Sequence, residues 1–197
     1  LMVLKLTQNK MFIYGIIKMT VQKINDWAIP YVKNFRTYID IGAHDGDTCI
    51  DFVDKFKRIY AFEPNPESIL RIPNTVKKFP FALGNKREER VLTIPDNGFE
   101  NPQHGSIVRH VTGFKQYSVS VRTLDGFELK EVDLIKIDVE GMELEVLEGA
   151  IQTILKWRPV VLFENKRARY NKKLVDFFDK INYNVKVYKS DSVAYYE

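Results

Sequence analysis

Short apolar runs alternate with amphipathic stretches along most of the chain. Runs bounded by polar or turn-forming residues predict buried strands over 37–41, 58–62, 132–139 and 159–163. Apolar residues recurring every three or four positions predict helices over 48–57, 67–72, 142–157 and 172–180. Strands that alternate with helices favour a mostly parallel sheet with helices on both faces.

Other segments complete this picture. Further strands are predicted over 76–83, 89–94 and 117–124, and the last of these alternates as an exposed strand does. Segments 183–188 and 193–196 resemble a closing hairpin, which allows one antiparallel strand. A helix is expected over 21–34, with a kink or break at Pro30. The stretch 95–114 is rich in Gly, Pro, Asn and His, and a loop of that length is usually functional or disordered.

Composition and charge narrow the class of protein. The 197 residues suffice for one domain, and the net charge of +4 comes from basic residues scattered among acids, so no nucleic-acid partner is expected. The single cysteine, Cys49, excludes an intrachain disulfide and fits a reducing compartment, so we expect a cytoplasmic protein with Cys49 as a small buried residue. The apolar stretch 11–17 is too short to span a membrane and lacks the layout of a signal peptide. Since the chain begins with Leu1, Met19 is a candidate start.

The turn after the first strand and the acid after the second carry the first chemical signal. Asp40 ends one strand, Gly42 and Gly46 lie in the turn that follows, and Glu63 ends the next strand. In a nucleoside-binding α/β sheet such a turn brings backbone N–H groups near the ligand, and the second acid accepts hydrogen bonds from ribose hydroxyls. Glycine suits a turn that passes close to a ligand. Together, the glycine-containing turn and Glu63 predict a ligand with an adenosine part.

Two acids beside this turn indicate which adenosine ligand it is. Asp45 and Asp47 bracket Gly46, and the spacing is not that of a dinucleotide-binding G-x-G-x-x-G loop. These carboxylates would repel a pyrophosphate, but they suit the ammonium and sulfonium of S-adenosylmethionine. A methyl donor is therefore favoured over a nicotinamide dinucleotide.

Acids also end two later strands. Asp138 and Glu164 join Asp40 and Glu63 at the carboxyl edge of the sheet, where ligands of such sheets bind. A single strand-end acid is often only a solvated cap. Four at one edge repel each other unless a ligand or partner offsets their charge.

The block 134–143, Leu-Ile-Lys-Ile-Asp-Val-Glu-Gly-Met-Glu, is the second strong signal. With it and the Glu-Gly-Ala at 148–150, the sequence resembles the FkbM family of S-adenosylmethionine-dependent methyltransferases. The other matching stretches run in family order over about residues 36 to 165, at 38–47, 60–66, 81–85, 122–125 and 158–164. One departure is His44-Asp45, where many relatives carry Asn and a small or apolar residue.

The resemblance implies a class I methyltransferase fold: a three-layer, doubly wound, Rossmann-like α/β domain with a seven-stranded, mostly parallel sheet and one antiparallel strand. It divides the chain into an N-terminal helical extension, 1–35, and a methyltransferase domain, 36–197. It implies methyl transfer from S-adenosylmethionine to oxygen, with a hydroxyl of a sugar, glycan or other small molecule as acceptor.

The resemblance also implies roles for single residues. Asp40, Gly42 and Gly46 would hold the amino-acid end of the donor, Glu63 the ribose, and the Phe81-Ala82 turn would lie near the adenine. The full set of expected donor contacts is Asp40, Gly42, Ala43, His44, Gly46, Asp47, Thr48, Glu63, Pro64, Phe81, Ala82 and Asp138.

A hydroxyl acceptor loses a proton, so a general base is expected. The candidates are Asp138 and Glu140 at the methyl-transfer site, Glu164, and the loop histidines His104 and His110. At this strand exit Asp138 and Glu140 are expected to point in opposite directions, one toward the donor or a metal and the other toward the acceptor. Three of these acids could supply hard oxygen ligands to a divalent cation, although nothing in the sequence requires one.

Two other functions remain open. The chain could be a catalytically inactive donor-binding module of a larger glycan-modifying assembly, or a nicotinamide-dependent oxidoreductase on a similar sheet. Methylation of nucleic acid is disfavoured by the modest charge. The oligomeric state is not indicated by the sequence.

Overall fold

A computed structural model describes residues 27–95, 114–165, 168–188 and 191–197. Its strands are β1 Thr37–Ile41, β2 Arg58–Phe62, β3 Lys77–Phe79, β4 Ala82–Leu83, β5 Glu88–Pro95, β6 Phe114–Arg122, β7 Val132–Ile137, β8 Val160–Glu164, β9 Asn184–Tyr188 and β10 Asp191–Tyr195. The helices are α1 Asp47–Ile50, α2 Glu143–Glu148, α3 Ile151–Trp157 and α4 Ala168–Lys180. Short 3₁₀ turns lie at Ile29–Tyr31 and Asp125–Phe127.

The main sheet has seven strands in the order β3-β2-β1-β7-β8-β10-β9. Every pairing is parallel except those of β10, which runs antiparallel to both β8 and β9. The expected mostly parallel sheet with one antiparallel strand, closed by a hairpin, is confirmed. The central strand β1 is buried at all five positions, because both faces of the sheet are covered.

Hydrophobic cores lie on the two faces of this sheet. One includes Ile39, Ile135 and Phe163 from the strands, packed against Leu147 of α2 and Phe178 of α4. The other core sits on the opposite face and includes Tyr38, Leu134, Cys49, Phe52 and Phe56. The sheet between two covering layers confirms the expected three-layer fold, and Cys49 is buried as expected.

A second, three-stranded sheet stands beside the first, in the order β4-β6-β5. Strands β5 and β6 form an antiparallel hairpin from Glu88 opposite Val121 to Pro95 opposite Phe114. The prediction of one strand over 76–83 is wrong: the segment divides into β3, which joins the main sheet, and β4, which pairs with β6. This second sheet has its own small core of Ala82, Leu92, Ile94, Val119 and Val121.

Several predicted helices are shorter than the hydrophobic pattern indicates. Helix α1 covers only the start of 48–57, and turns follow it; Phe52 and Phe56 face the core, whereas Ile50 and Val53 are exposed. Segment 67–72 forms turns and no helix. The helix expected over 142–157 is divided between α2 and α3.

Two segments distant in sequence contact the chain where the helix divides at Gly149. A Cβ on Gly149 would lie 2.9 Å from the carbonyl carbon of Gly84, so another backbone segment packs against the helix there. Asp125 accepts hydrogen bonds from the backbone N–H groups of Gln152 and Thr153, which caps the start of α3. The apolar spacing runs through this break because both helices bury the same side.

Some expectations lie outside the described residues. These are the first part of the 21–34 helix, nearly all of the 95–114 loop, and with it His104 and His110. In the part of the chain that is described, no helix is long and apolar enough to cross a bilayer.

Candidate active site

The turn after β1 packs directly on the chain leaving β7. Gly42 has φ +77°, and a Cβ there would lie 2.9 Å from the carbonyl carbon of Asp138 and collide with its oxygen. The backbone N–H groups of Gly42 and Ala43 both donate to the carbonyl of Phe62, at 2.9 and 3.2 Å. Contact with Asp138, just after β7, is by itself enough to require glycine at position 42, and the close approach of this turn to a ligand stays a prediction.

Gly46 ends the same turn and precedes α1. Its φ of +85° lies in the left-handed region that favours glycine, and a Cβ would meet Ile72 and Pro73 at 3.2 Å. Behind it, Thr48 is buried, while His44, Asp45 and Asp47 are half-buried. Imidazole Nδ1 of His44 lies 3.2 Å from Asp45 Oδ1, and this contact lowers the pKa of Asp45 despite its partial burial.

Glu63 joins the turns that follow β1 and β2. Its Oε2 accepts the backbone N–H of His44 at 2.7 Å, and its Oε1 accepts that of Asn65 at 2.8 Å. His44 has φ +52°. Burial raises the pKa of Glu63 above its ordinary value, and the two backbone donors oppose that shift. Each carboxylate oxygen keeps a lone pair that can accept a ligand hydroxyl.

Asp40 lies deeper than the sequence indicates. It is fully buried, and it accepts a hydrogen bond from the Cys49 thiol, with Sγ 3.3 Å from Oδ2. The ammonium of Lys136 lies 3.4 Å from Asp40 Oδ1 and 3.3 Å from Asp138 Oδ2. Burial lowers the pKa of Lys136, but Asp40 and Asp138 together raise it above its ordinary value. Asp40 thus supports the site through Lys136, and its direct contact with a donor stays a prediction.

Asp138, Glu140 and Glu164 come together at the carboxyl ends of β7 and β8. One carboxylate oxygen from each lies within 4.8 Å of the others, and all three residues are half-buried. The prediction that Asp138 and Glu140 point in opposite directions is wrong. Residues two apart on an extended strand lie on the same side, so alternation favours the convergence that is observed; Glu140 has φ +54° and Gly141 +108°, and the chain turns there after β7.

This acidic cluster can accept a proton or bind a hard cation. Three convergent carboxylates are the kind of ligand set that a divalent cation prefers, although exposed acids often gather without one. Lys136 already places a positive charge beside Asp138.

The Phe81-Ala82 turn, expected to lie near the adenine, connects β3 of the main sheet to β4 of the second sheet. Phe81 is half-buried, with the Arg122 guanidinium 5.1 Å from its ring centre and Phe127 at 6.0 Å. Ala82 is buried in β4. Pro64 is half-buried, in the turn between Glu63 and Asn65.

Two polar residues of the β2 turn were missed by sequence reasoning. Asn65 is buried and bonds both Glu63 and Ser68, and Glu67 contacts Lys115 and Tyr117 of β6. The Pro-Asn-Pro pattern at 64–66 could have indicated an Asn-centred turn. The contact with β6 depends on how the second sheet packs against this turn, which the strand patterns over 89–94 and 117–124 do not indicate.

The sequence matches the model of the methyltransferase FkbM domain over residues 40–186, about three-quarters of the chain. The chain belongs to the FkbM methyltransferase family. The expected resemblance is thereby confirmed.

Two curated proteins are similar to this FkbM-family chain. A hexuronic acid methyltransferase, AglP, of Haloferax volcanii is 30% identical over 125 residues, which cover 58% of this chain and 51% of that protein. A 2-O-methyltransferase, NoeI, of Sinorhizobium fredii is 28% identical over 145 residues, covering 61% and 59%. The chain thus spans between half and three-fifths of the length of these relatives.

Solved structures share the fold. A methyltransferase FkbM from Methylobacillus flagellatus superposes with a TM-score of 0.57 and 17% identity, covering 81% of this chain and 43% of that one. A precorrin-6y C5,15-methyltransferase from Geobacter metallireducens gives a TM-score of 0.55 at 15% identity, covering 89% of both chains. At these identities the likeness concerns the fold, and it agrees with the expected class I methyltransferase architecture.

Proposed function

We propose that this chain is an S-adenosylmethionine-dependent O-methyltransferase that acts on a hydroxyl of a sugar or glycan. The observation that carries the proposal is the convergence of Asp138, Glu140 and Glu164 at the edge of the sheet where the Gly42 turn and Glu63 also lie. Family membership supports methyl transfer. The names of the two relatives, a hexuronic acid methyltransferase and a 2-O-methyltransferase, support a sugar hydroxyl as acceptor.

The residues present fit S-adenosylmethionine. Glu63 offers a carboxylate, oriented by two backbone N–H groups, to the ribose hydroxyls. Asp45, Asp47 and Asp138 offer negative charge to a cationic amino-acid end, and the same charge disfavours the pyrophosphate of a nicotinamide dinucleotide. Phe81 offers an aromatic face on the adenine side.

S-adenosylmethionine supplies an activated methyl group, so the main task of the protein is to align the acceptor and remove its proton. The acidic cluster suits both tasks, because one carboxylate can accept the hydroxyl proton while its neighbours hydrogen-bond other hydroxyls of a sugar. The ammonium of Lys136 donates a hydrogen bond to the carboxylate of Asp138 and so helps to fix its position. We therefore place the general base within the cluster, and His104 stays a candidate that the described residues do not include.

Calorimetric titration tests the donor, and an acceptor screen tests the reaction. We expect micromolar binding of S-adenosylmethionine and its demethylated product, and no binding of NAD as the control. A screen of hexuronic acids and other sugars should then give methylated product detectable by mass spectrometry. Binding of the donor without turnover on any acceptor would favour the inactive donor-binding module, and NAD binding would favour the oxidoreductase.

A further inference from the structure

We propose that Tyr117 and Lys115 of β6 are positioning residues for the methyl donor. Both donate hydrogen bonds to the side chain of Glu67, and in this way they hold in place the turn that also contains Glu63. This inference deepens the proposed function and rests on it, since it takes Glu63 as the acceptor of the ribose hydroxyls.

The first step is the contact between the two sheets. Tyr117 Oη donates to Glu67 Oε1 at 2.6 Å, and Lys115 Nζ donates to the same oxygen at 2.8 Å. Residues two apart on a strand point to the same side, so β6 presents both donors to one acceptor. These two hydrogen bonds lower the pKa of Glu67, and the ionised form accepts stronger hydrogen bonds than a neutral acid would.

The second step is the rigidity of the turn itself. Asn65 Oδ1 accepts the backbone N–H of Glu67 at 2.9 Å, and Asn65 Nδ2 donates to Ser68 Oγ at 2.8 Å. The backbone N–H of Asn65 in turn donates to Glu63 Oε1 at 2.8 Å. Asn65 and Ser68 are buried, and Pro64 and Pro66 restrict the backbone on either side. A displacement of Glu67 is therefore passed on to Glu63.

The third step is the anchoring of the hairpin on the other side of the site. Arg90 of β5 donates to Glu145 of α2 at 2.7 Å, and α2 follows directly after the turn that carries Asp138 and Glu140. The hairpin thus contacts both the helix that follows the acidic cluster and the turn that contains Glu63. Tyr117 and Lys115 provide the contact with that turn.

The expected consequence concerns donor affinity and not chemistry. Without the Tyr117 hydroxyl, Glu67 is held less firmly, so Glu63 spends less time in the orientation that accepts the ribose. We expect Tyr117→Phe and Glu67→Gln each to weaken S-adenosylmethionine binding by about 3- to 10-fold. The acidic cluster is untouched, so kcat at saturating donor should stay within about twofold of wild type.

A double-mutant cycle tests the proposal by calorimetry on the whole chain. If Tyr117 acts through Glu67, the double variant should bind the donor about as weakly as either single variant. Lys115→Arg should keep the affinity that Lys115→Met loses. Ser120→Ala is the matched control, because Ser120 lies on the same strand and donates to Glu89 instead.

The outcomes separate this inference from the proposed function. Suppose that the wild-type protein binds the donor. Unchanged donor affinity in Tyr117→Phe would then overturn the positioning role alone, and so would a loss of affinity in Ser120→Ala as large as that in Tyr117→Phe. Additive losses in the double variant would also overturn it. A wild-type protein that binds no S-adenosylmethionine would overturn the proposed function, and this inference with it.

Discussion

Gly42 and Asp138 touch each other across the two loops that form the site. A Cβ on Gly42 would lie 2.9 Å from the carbonyl carbon of Asp138, and the neighbouring N–H of Asp138 donates to Ile41 at 2.9 Å. The strand exits of β1 and β7 are therefore packed backbone to backbone. This contact places the turn expected to bind the donor beside the acids expected to act on the acceptor.

The Gly42→Ala substitution is expected to destabilise the protein by roughly 2–4 kcal/mol, because the new Cβ meets backbone that cannot rotate away and φ is +77°. Guanidinium unfolding measures the change. Gly126→Ala is the control: Gly126 is exposed, and its Cβ would meet only a Thr123 hydroxyl at 3.2 Å. Equal stability of Gly42→Ala and wild type would contradict the packing described.

Donor affinity is expected to fall at acidic pH through Glu63. Burial raises the pKa of Glu63 above its ordinary value of 4.5, so the folded protein takes up this proton at a higher pH than the unfolded chain does. Since the ionised carboxylate is the better acceptor for two hydroxyls, the dissociation constant for S-adenosylmethionine should rise as pH falls through this raised pKa. Below the raised pKa it should rise by about tenfold per pH unit.

Glu63→Gln isolates the contribution of Glu63 to this pH dependence. The amide cannot accept both backbone N–H groups as the carboxylate does, so we expect about 10- to 100-fold weaker binding with the Glu63-dependent part of the pH profile lost. Exposed Glu89→Gln should bind as wild type does. Wild-type affinity in Glu63→Gln would disprove the ribose assignment.

Sequence patterns predicted the parts of the fold that depend on local burial. Strands β1, β7 and β8 are apolar runs because both faces of the sheet are covered. Such runs can be recognised from the sequence alone. The break at Gly149 was missed because the contacts around it, with Gly84 and with Asp125 that caps α3, come from segments distant in sequence. The strands predicted over 89–94 and 117–124 are present as β5 and β6, but their assembly with β4 into a second sheet was missed, since β4 pairs with a strand more than thirty residues away.

The candidate site shows the same limit. Asp138, Glu140 and Glu164 were identified as residues at the carboxyl edge, because strand-end acids can be recognised one by one. Asp138 and Glu140 are two residues apart, so alternation along the strand exit could have indicated their convergence; the addition of Glu164 depends on the pairing of β7 with β8. Asn65 and Glu67 act through hydrogen bonds to a turn and to β6, which residue type alone does not indicate.

Lys136→Met is expected to cost roughly 3–5 kcal/mol in the free energy of unfolding. The substitution leaves the fully buried carboxylate of Asp40 without its cation. Lys136→Met/Asp40→Asn should recover much of the loss, because no fully buried charge is left unpaired; Asp138 also loses Lys136, but its carboxylate is partly exposed to water. Exposed Lys86→Met, which breaks only the surface pair with Glu88, should change stability by less than about 1 kcal/mol. A double variant no more stable than Lys136→Met would contradict the Asp40–Lys136 pairing.

Cys49 is expected to resist alkylation in the folded protein. Burial, and then the negative charge of Asp40, raise the pKa of the thiol, and the thiolate is the reactive form. Intact mass after iodoacetamide treatment at pH 8 should show no adduct on native protein and one adduct in guanidinium, since Cys49 is the single cysteine. Rapid modification of the native protein would show that the thiol is accessible and would contradict its burial in the core.

The acidic cluster is expected to contain the general base. Among Asp138→Asn, Glu140→Gln and Glu164→Gln, the variant that removes the base should lower kcat by about 10²- to 10⁴-fold, since proton removal from the acceptor is lost. Glu140→Gln and Glu164→Gln should bind S-adenosylmethionine nearly as wild type does, because donor contact on this strand exit is assigned to Asp138. Exposed Glu128→Gln provides the control for an amide substitution outside the site. If all three variants kept kcat within about threefold of wild type, the base would lie elsewhere, and a large loss in His104→Gln would then assign it to the loop.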